Sequence, residues 1–248
     1  LRAPNFRILR EELESLFSAR TRLLLLNTPH NPTGRVFDDQ ELEYVASLCL
    51  QHGVRVITDE VYEHIVYAPA KHRAFASLPG MRSRTLSLSS LGKTFSFTGW
   101  KIGWATGPKD MIAAAQSAHQ FLTFAVATPL QRAAAFALRE LAAEFVQELQ
   151  QEYGERRSFL MGALENAGFV PLAPEGAYFV LADFTALHDG DDKSFVKHLI
   201  ETIGVAAIPP SVFYARDQAA GRKLVRFAFC KRRETLEDAA RRLEGLKR

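Results

Sequence analysis

The sequence predicts an α/β protein, with a mostly parallel sheet covered by helices and then a smaller α+β layer. Three observations carry this. Apolar or β-branched runs at 22–26, 54–58 and 85–88 alternate with stretches of helical period, the pattern of strands joined by right-handed crossovers. Each run also ends on polar residues, Asn27, Asp59 and Ser89-Ser90, at the strand ends where open α/β sheets bind ligands. Finally, a long helical stretch leads into a region with two further strand-like runs, as a helix bridging two domains would.

In chain order, Ile8, Leu9, Leu13, Leu16 and Phe17 mark one side of an amphipathic helix over 8–17. Leu23-Leu24-Leu25-Leu26 supplies the first strand. Asp38 or Asp39 caps a helix with Leu42, Val45, Ala46 and Leu48 inward, and Gly53 stops it. The second strand is 54–58, and an irregular loop around 68–79 precedes the third, Thr85-Leu86-Ser87-Leu88. A fourth strand covers 102–106, and Pro108 starts a helix reaching about Phe121. Helix is then expected almost without interruption from Pro129 to about Asn166, punctuated by Gly154 and Gly168. Beyond it, 177–182 and 224–228 read as strands, and 192–202 and 233–247 as helices. The expected division is a large domain over 1–139 and a small one over 140–248, entered through the long helix.

Composition excludes several classes. The 248 residues are 47% hydrophobic, ample for a packed core. Net charge is +3, from 31 basic against 28 acidic residues, and the basic residues are spread along the chain, which argues against a nucleic-acid partner. Lys231-Arg232-Arg233 and Arg241-Arg242 read as the solvated face of a last helix. Two cysteines, Cys49 and Cys230, are too few for a disulfide framework or a zinc site, so no metal is expected and a reducing, cytoplasmic setting is. No run of about 18 apolar residues suggests a membrane span.

The chemistry centres on Ser89-Ser90-Leu91-Gly92-Lys93-Thr94-Phe95-Ser96 and its continuation Gly99-Trp100-Lys101-Ile102-Gly103. Small residues let backbone approach a ligand closely, and hydroxyls with exposed N–H groups make an anion cradle. A lysine there is a phosphate clamp, a covalent catalyst or a solvated charge. Gly92-Lys93-Thr94 looks like the end of a Walker A loop, but that motif requires glycine where this chain has Ser87.

Asn31-Pro32-Thr33-Gly34, Asp59-Glu60-Val61-Tyr62 and Ser90-Leu91-Gly92-Lys93 through Thr98-Gly99-Trp100-Lys101-Ile102-Gly103 resemble, in order and spacing, the signatures of class I aminotransferases. These are the fold-type I pyridoxal-phosphate transferases. Asn27-Thr28-Pro29-His30-Asn31-Pro32, Gly92-Lys93-Thr94-Phe95 and Val205-Ala206-Ala207-Ile208-Pro209 look like the kynurenine/glutamine (cysteine-S-conjugate β-lyase) and bacterial methionine aminotransferase branch. The resemblance runs through essentially the whole chain, but it enters the family pattern well past its beginning. It therefore implies an N-terminally incomplete large domain and an α+β C-terminal small domain, and the 248 residues alone are expected to be inactive.

The resemblance also implies residue roles. Asp59 would keep the cofactor ring nitrogen protonated, the condition for it to act as an electron sink; a helix cap is the other reading of this residue. Asn31 and Tyr62 would donate to the ring's phenolate oxygen. Lys93 would hold pyridoxal 5'-phosphate covalently and then move the substrate proton, while Ser90 and Lys101 hold the phosphate, with Ser89 as a weaker candidate. Arg226, charged within the apolar Val225-Arg226-Phe227-Ala228-Phe229, needs an anion, either a substrate carboxylate bound together with Asn31 or an internal Asp or Glu. His30 and His119 read as loop or packing residues and Tyr178 as core. Phe124 is either core or part of a segment reaching a neighbouring subunit's pocket. The implied activity is ping-pong transfer of an amino group from an L-amino acid to a 2-oxo acid by a homodimer with shared active sites. β-Elimination from cysteine S-conjugates, and a ligand-sensing domain of a transcription regulator, are the alternatives.

Overall fold

The structure, a computed structural model, describes residues 1–247. The chain forms two compact units. One comprises Arg7–Pro29 and Val36–Gln150; the other comprises Leu1–Phe6, His30–Arg35 and the residues from Gln151 onward.

The first unit is α/β. Helix α1 (Arg10–Leu16) precedes strand β1 (Leu23–Asn27), helix α2 (Asp39–Gln51) and strand β2 (Arg55–Asp59). Asp38 caps α2 through a reciprocal box: its carboxylate accepts the Glu41 N–H while Glu41 accepts the Asp38 N–H. Glu41 also accepts the Ile8 N–H at 3.0 Å, which ties the entering chain to the cap. Leu42, Val45, Ala46 and Cys49 face inward, and Gly53 turns the chain at φ +65°. Strand β3 (Thr85–Ser90) completes a parallel trio, with Asn27 opposite Asp59 and Asp59 opposite Leu88. The loop before β3 contains a short turn of 3-10 helix, Phe75–Ser77, whose Phe75 is fully buried.

One strand direction is added here and one expectation is corrected. Strand β4 (Gly103–Thr106) runs antiparallel to β3, with Ser90 opposite Gly103. Residues 91–102 between them hold only the four-residue helix α3 (Leu91–Thr94) and a 3-10 turn, Thr98–Trp100, with no helix long enough to cross the sheet, and the strand returns alongside its predecessor. The helical stretch after Pro129 is nearly continuous, as expected, but Gly154 does not punctuate it. Helix α4 (Lys109–Leu122) is followed by α5 (Thr128–Glu140) and α6 (Ala142–Asn166), with a break at Leu141 (φ −118°). Ala142 and Phe145 pack on the cluster of Leu91, Phe95, Ile102, Ala134 and Ala137 that supports the lysine loop. Gly154 sits inside α6 and interrupts nothing, whereas Gly168, at φ +95°, does end it.

Exposed apolar groups mark this unit. Leu23 and Leu25 of the edge strand β1 are 51% and 69% exposed, although an all-leucine run suits a strand covered on both faces. Phe121, Leu122 and Phe124, at the end of α4, are 84–85% exposed, so Phe124 is not a core residue.

The second unit is α+β. Strands β5 (Val170–Leu172), β6 (Phe179–Asp183) and β7 (Leu224–Ala228) form an antiparallel sheet, with Leu181 opposite Arg226. Strand β5, three residues around Pro171, has no periodicity to reveal it. Helix α7 (Asp192–His198) widens into a π turn over Leu199–Ile203, ended by Gly204 at φ +75°. Helix α8 (Arg233–Leu243) closes the unit. Phe169, Phe184, Phe195 and Phe227 build its aromatic core, and Phe6 packs with Leu181 and Leu224. Among the described residues, no helix is long and apolar enough to cross a membrane.

Candidate active site

In the α/β unit, adjacent strand ends deliver three of the residues picked out above. Asp59 is the last residue of β2, and Asn27 at the end of β1 donates to its carbonyl at 2.8 Å. The Thr28 N–H reaches the same carbonyl at 3.1 Å. The Asp59 carboxylate accepts the Val61 N–H at 3.3 Å, closing a turn that sends the chain on to Tyr62. Tyr62 is buried, and the Lys93 amine lies over its ring, 5.6 Å from the centroid. Ser90 ends β3 directly before α3, which carries Lys93.

Two glycines hold this loop close to its neighbours. A Cβ at Gly92 would lie 2.9 Å from the Thr98 Cα, and one at Gly103 would lie 2.7 Å from the Ser89 carbonyl oxygen. Lys101 is exposed and left-handed, at φ +55°. Ser89 is buried, with its hydroxyl bonded to the Glu63 carboxylate. Beside it, the Glu60 carboxylate accepts the Phe75 N–H at 3.1 Å and His72 Nε2–H at 3.2 Å. These contacts tie the segment after Asp59 to the loop at 72–75 and to β3. They join residues far apart in sequence, and no local pattern announces them.

The α+β unit holds Asn31 and Arg226. Strand β7 places Arg226 opposite Leu181, and the N–H and carbonyl of Arg226 each bond Ile208 at 3.0 Å. The guanidinium lies 4.4 Å from the Phe179 ring centroid and 5.1 Å from that of Phe213, and its Nη1 donates to Asn31 Oδ1 at 2.6 Å. Because Oδ1 takes this bond, the amide nitrogen is the donor end of Asn31. No local pattern in the sequence announces the two rings near Arg226, although Phe179 sits two residues from the arginine's strand partner Leu181.

Asn31 belongs to a self-closed loop. The His30 N–H reaches the Arg35 carbonyl at 2.7 Å and the Gly34 N–H reaches the His30 carbonyl at 2.8 Å. His30 Nδ1 lies 2.9 Å from the Thr33 hydroxyl, which also accepts the Arg35 N–H at 3.2 Å. Burial pushes the His30 pKa down to about 4. The ring is therefore neutral near pH 7 and shares a single proton in its contact with the Thr33 hydroxyl.

The chain belongs to the aminotransferase class I and II family, which it matches over residues 1–243. It is 39% identical to a kynurenine–oxoglutarate transaminase of Dictyostelium discoideum, over 99% of this chain and 61% of that protein. It is 40% identical to the methionine aminotransferase of Escherichia coli, over 99% of this chain and 63% of that protein. The solved structure of an N-succinyldiaminopimelate aminotransferase from Mycobacterium tuberculosis superposes with a TM-score of 0.93 at 42% identity, covering 98% of this chain and 62% of that one. The architecture is thus that of the fold-type I aminotransferases, and the chain spans about three fifths of the length of these relatives.

Proposed function

We propose that the intact protein is a pyridoxal-phosphate-dependent aminotransferase, carrying the amino group of an L-amino acid to a 2-oxo acid by a ping-pong mechanism. The observation that carries this reading is the Lys93 amine over the Tyr62 ring, on the loop that follows β3, the strand paired with the one that ends in Asp59. The donor set fits the cofactor: a carboxylate for a ring nitrogen, a phenol for a phenolate, a primary amine, a hydroxyl and a second cation for a phosphate. Loop backbone packed too closely for any side chain at Gly92 or Gly103 keeps these groups in register.

Bound pyridoxal phosphate supplies an electron sink for the carbanion formed at the substrate α-carbon. Asp59 would favour the protonated ring nitrogen through its negative charge. Tyr62 and the Asn31 amide nitrogen would be donors for the phenolate. Ser90 and Lys101 would hold the phosphate, Lys101 as a point charge. Lys93 Nζ would hold the cofactor at rest and, once released, would take and move the proton of the substrate α-carbon. Arg226, with its faces between Phe179 and Phe213 and one edge on Asn31, binds the substrate carboxylate.

The names of the relatives favour methionine-, kynurenine- or other amino-acid donors with 2-oxoglutarate as an acceptor. The exposed Phe121, Leu122 and Phe124 suit a homodimer contact, and two free cysteines suit a cytoplasmic setting. The test is to incubate intact, cofactor-loaded protein with single L-amino acids and 2-oxoglutarate, and to measure glutamate and the matching 2-oxo acid. Equal formation of the two from methionine, kynurenine, glutamine or phenylalanine is expected. Failure of all four donors would reject the reading.

A further inference from the structure

We propose that Arg35 and Glu175 are a positioning pair that sets the guanidinium of Arg226, by clamping the loop of Asn31 to the segment that enters β6. The inference rests on the reading of Arg226 as the carboxylate site.

The clamp has a charged and a backbone part. Arg35 Nη1 lies 2.6 and 2.5 Å from the two oxygens of Glu175, across 140 residues of sequence. The Arg35 side chain is only 12% exposed, so Glu175 neutralises a cation that has little access to water. Alongside, the Gly34 carbonyl accepts the N–H groups of Glu175 at 2.9 Å and Gly176 at 2.8 Å. Gly34 is left-handed, at φ +71°, and a Cβ there would sit 2.4 Å from the Pro174 Cβ. The two segments are therefore in direct contact, with no room for a side chain between them.

Each clamped segment leads to one contact of Arg226. On one side the self-closed loop holds Asn31, whose Oδ1 takes the arginine's Nη1. On the other, residues 174–176 run into β6, whose Phe179 lies under the guanidinium and whose Leu181 is the arginine's register partner. Loosening the clamp lets the Asn31 edge move against the Phe179 face, which tilts the fork that a carboxylate must meet. Arg35 Nη1 meets both Glu175 oxygens, so a lysine ammonium at this position can supply the charge, whereas a neutral residue at 175 cannot replace the carboxylate.

The experiment is isothermal titration of intact, cofactor-loaded protein with 3-phenylpropanoate, a carboxylate without an amino group, so that binding is read without turnover. Glu175→Gln is expected to weaken binding about tenfold and Glu175→Asp about threefold, with bound cofactor unchanged, while Arg35→Lys stays within about twofold of the parent. Glu175→Asp keeps the charge and serves as the folded probe if Glu175→Gln does not fold. Arg226→Ala is the control. If Arg226→Ala abolishes binding while Glu175→Gln and Glu175→Asp bind within about twofold of the parent, the clamp alone is overturned. If Arg226→Ala binds as the parent does, the carboxylate reading itself fails and the clamp falls with it.

Discussion

Acid should loosen the Asn31 loop through one side chain, His30. In the fold its pKa is pushed by burial from the ordinary 6.5 down to about 4. A histidine in the unfolded chain takes up its proton as pH falls through about 6.5, whereas the folded ring waits until about 4. Between those values the unfolded state binds more protons, so the stability contributed by the neutral ring is fully present above pH 6.5. It is lost progressively as pH falls toward 4. At ~1.4 kcal/mol for each tenfold change in proton affinity, the full difference is about 3 kcal/mol. His30→Gln removes the titration while leaving an amide that can still bond the Thr33 hydroxyl. Urea unfolding of the parent and the variant at several pH values from about 7.5 down to about 4.5 measures the effect. The parent should lose roughly 2–3 kcal/mol more than the variant over that range. Parallel curves would refute the argument, because they would mean that His30 meets water as freely in the fold as in the unfolded chain.

Three further outcomes follow from the geometry. Borohydride reduction of the cofactor-loaded intact protein should fix the label on the peptide containing Lys93, and Lys93→Ala should abolish transamination while retaining weak cofactor binding; a label on Lys101 would sink the assignment. Asp59→Ala should lower turnover by about a hundredfold or more at saturating cofactor while changing occupancy far less, since the ring proton matters most once the carbanion forms; unchanged turnover would remove Asp59 from the mechanism. Asp38→Ala, which breaks the capping box of α2, should cost about 1 kcal/mol of unfolding free energy with little change in cofactor affinity, and a loss below about 0.3 kcal/mol would show the cap to be redundant.

The strands and helices legible in the sequence are those whose physics is local. Asp38 and Gly53 bracket α2 because capping and a left-handed turn are set by one or two residues, and the strand ends at Asn27, Asp59 and Ser90 follow from apolar runs meeting polar residues. What stays hidden lies where packing decides. Nothing in Arg139-Glu140-Leu141-Ala142 breaks a helix by propensity, and the one-residue interruption at Leu141 sits where Phe145 packs against Phe95, 5.2 Å between ring centroids. The direction of β4 was likewise hidden, because residues 91–102 read as a ligand loop whether the next strand runs parallel or returns.

The same division holds within the candidate site, and it separates what the motifs specify from what holds them. Under the proposed function, Lys93, Asp59, Tyr62 and Asn31 are visible because pyridoxal chemistry would require particular groups, and a required group leaves a signature in sequence. Their supports leave none: Ser89 on Glu63, Glu60 on His72 and Arg35 on Glu175 are ordinary polar residues whose partners lie 12 to 140 residues away. Any of several polar pairs could hold the same backbone, so the supports need carry no shared pattern. Yet a guanidinium that must meet a carboxylate edge-on tolerates little tilt, because a displacement of about 1 Å can cost on the order of a hundredfold in rate. Substrate preference in such a protein can thus depend on residues outside every motif. Glu175→Gln should therefore move carboxylate affinity while leaving Lys93 labelling untouched, which separates the two layers by experiment.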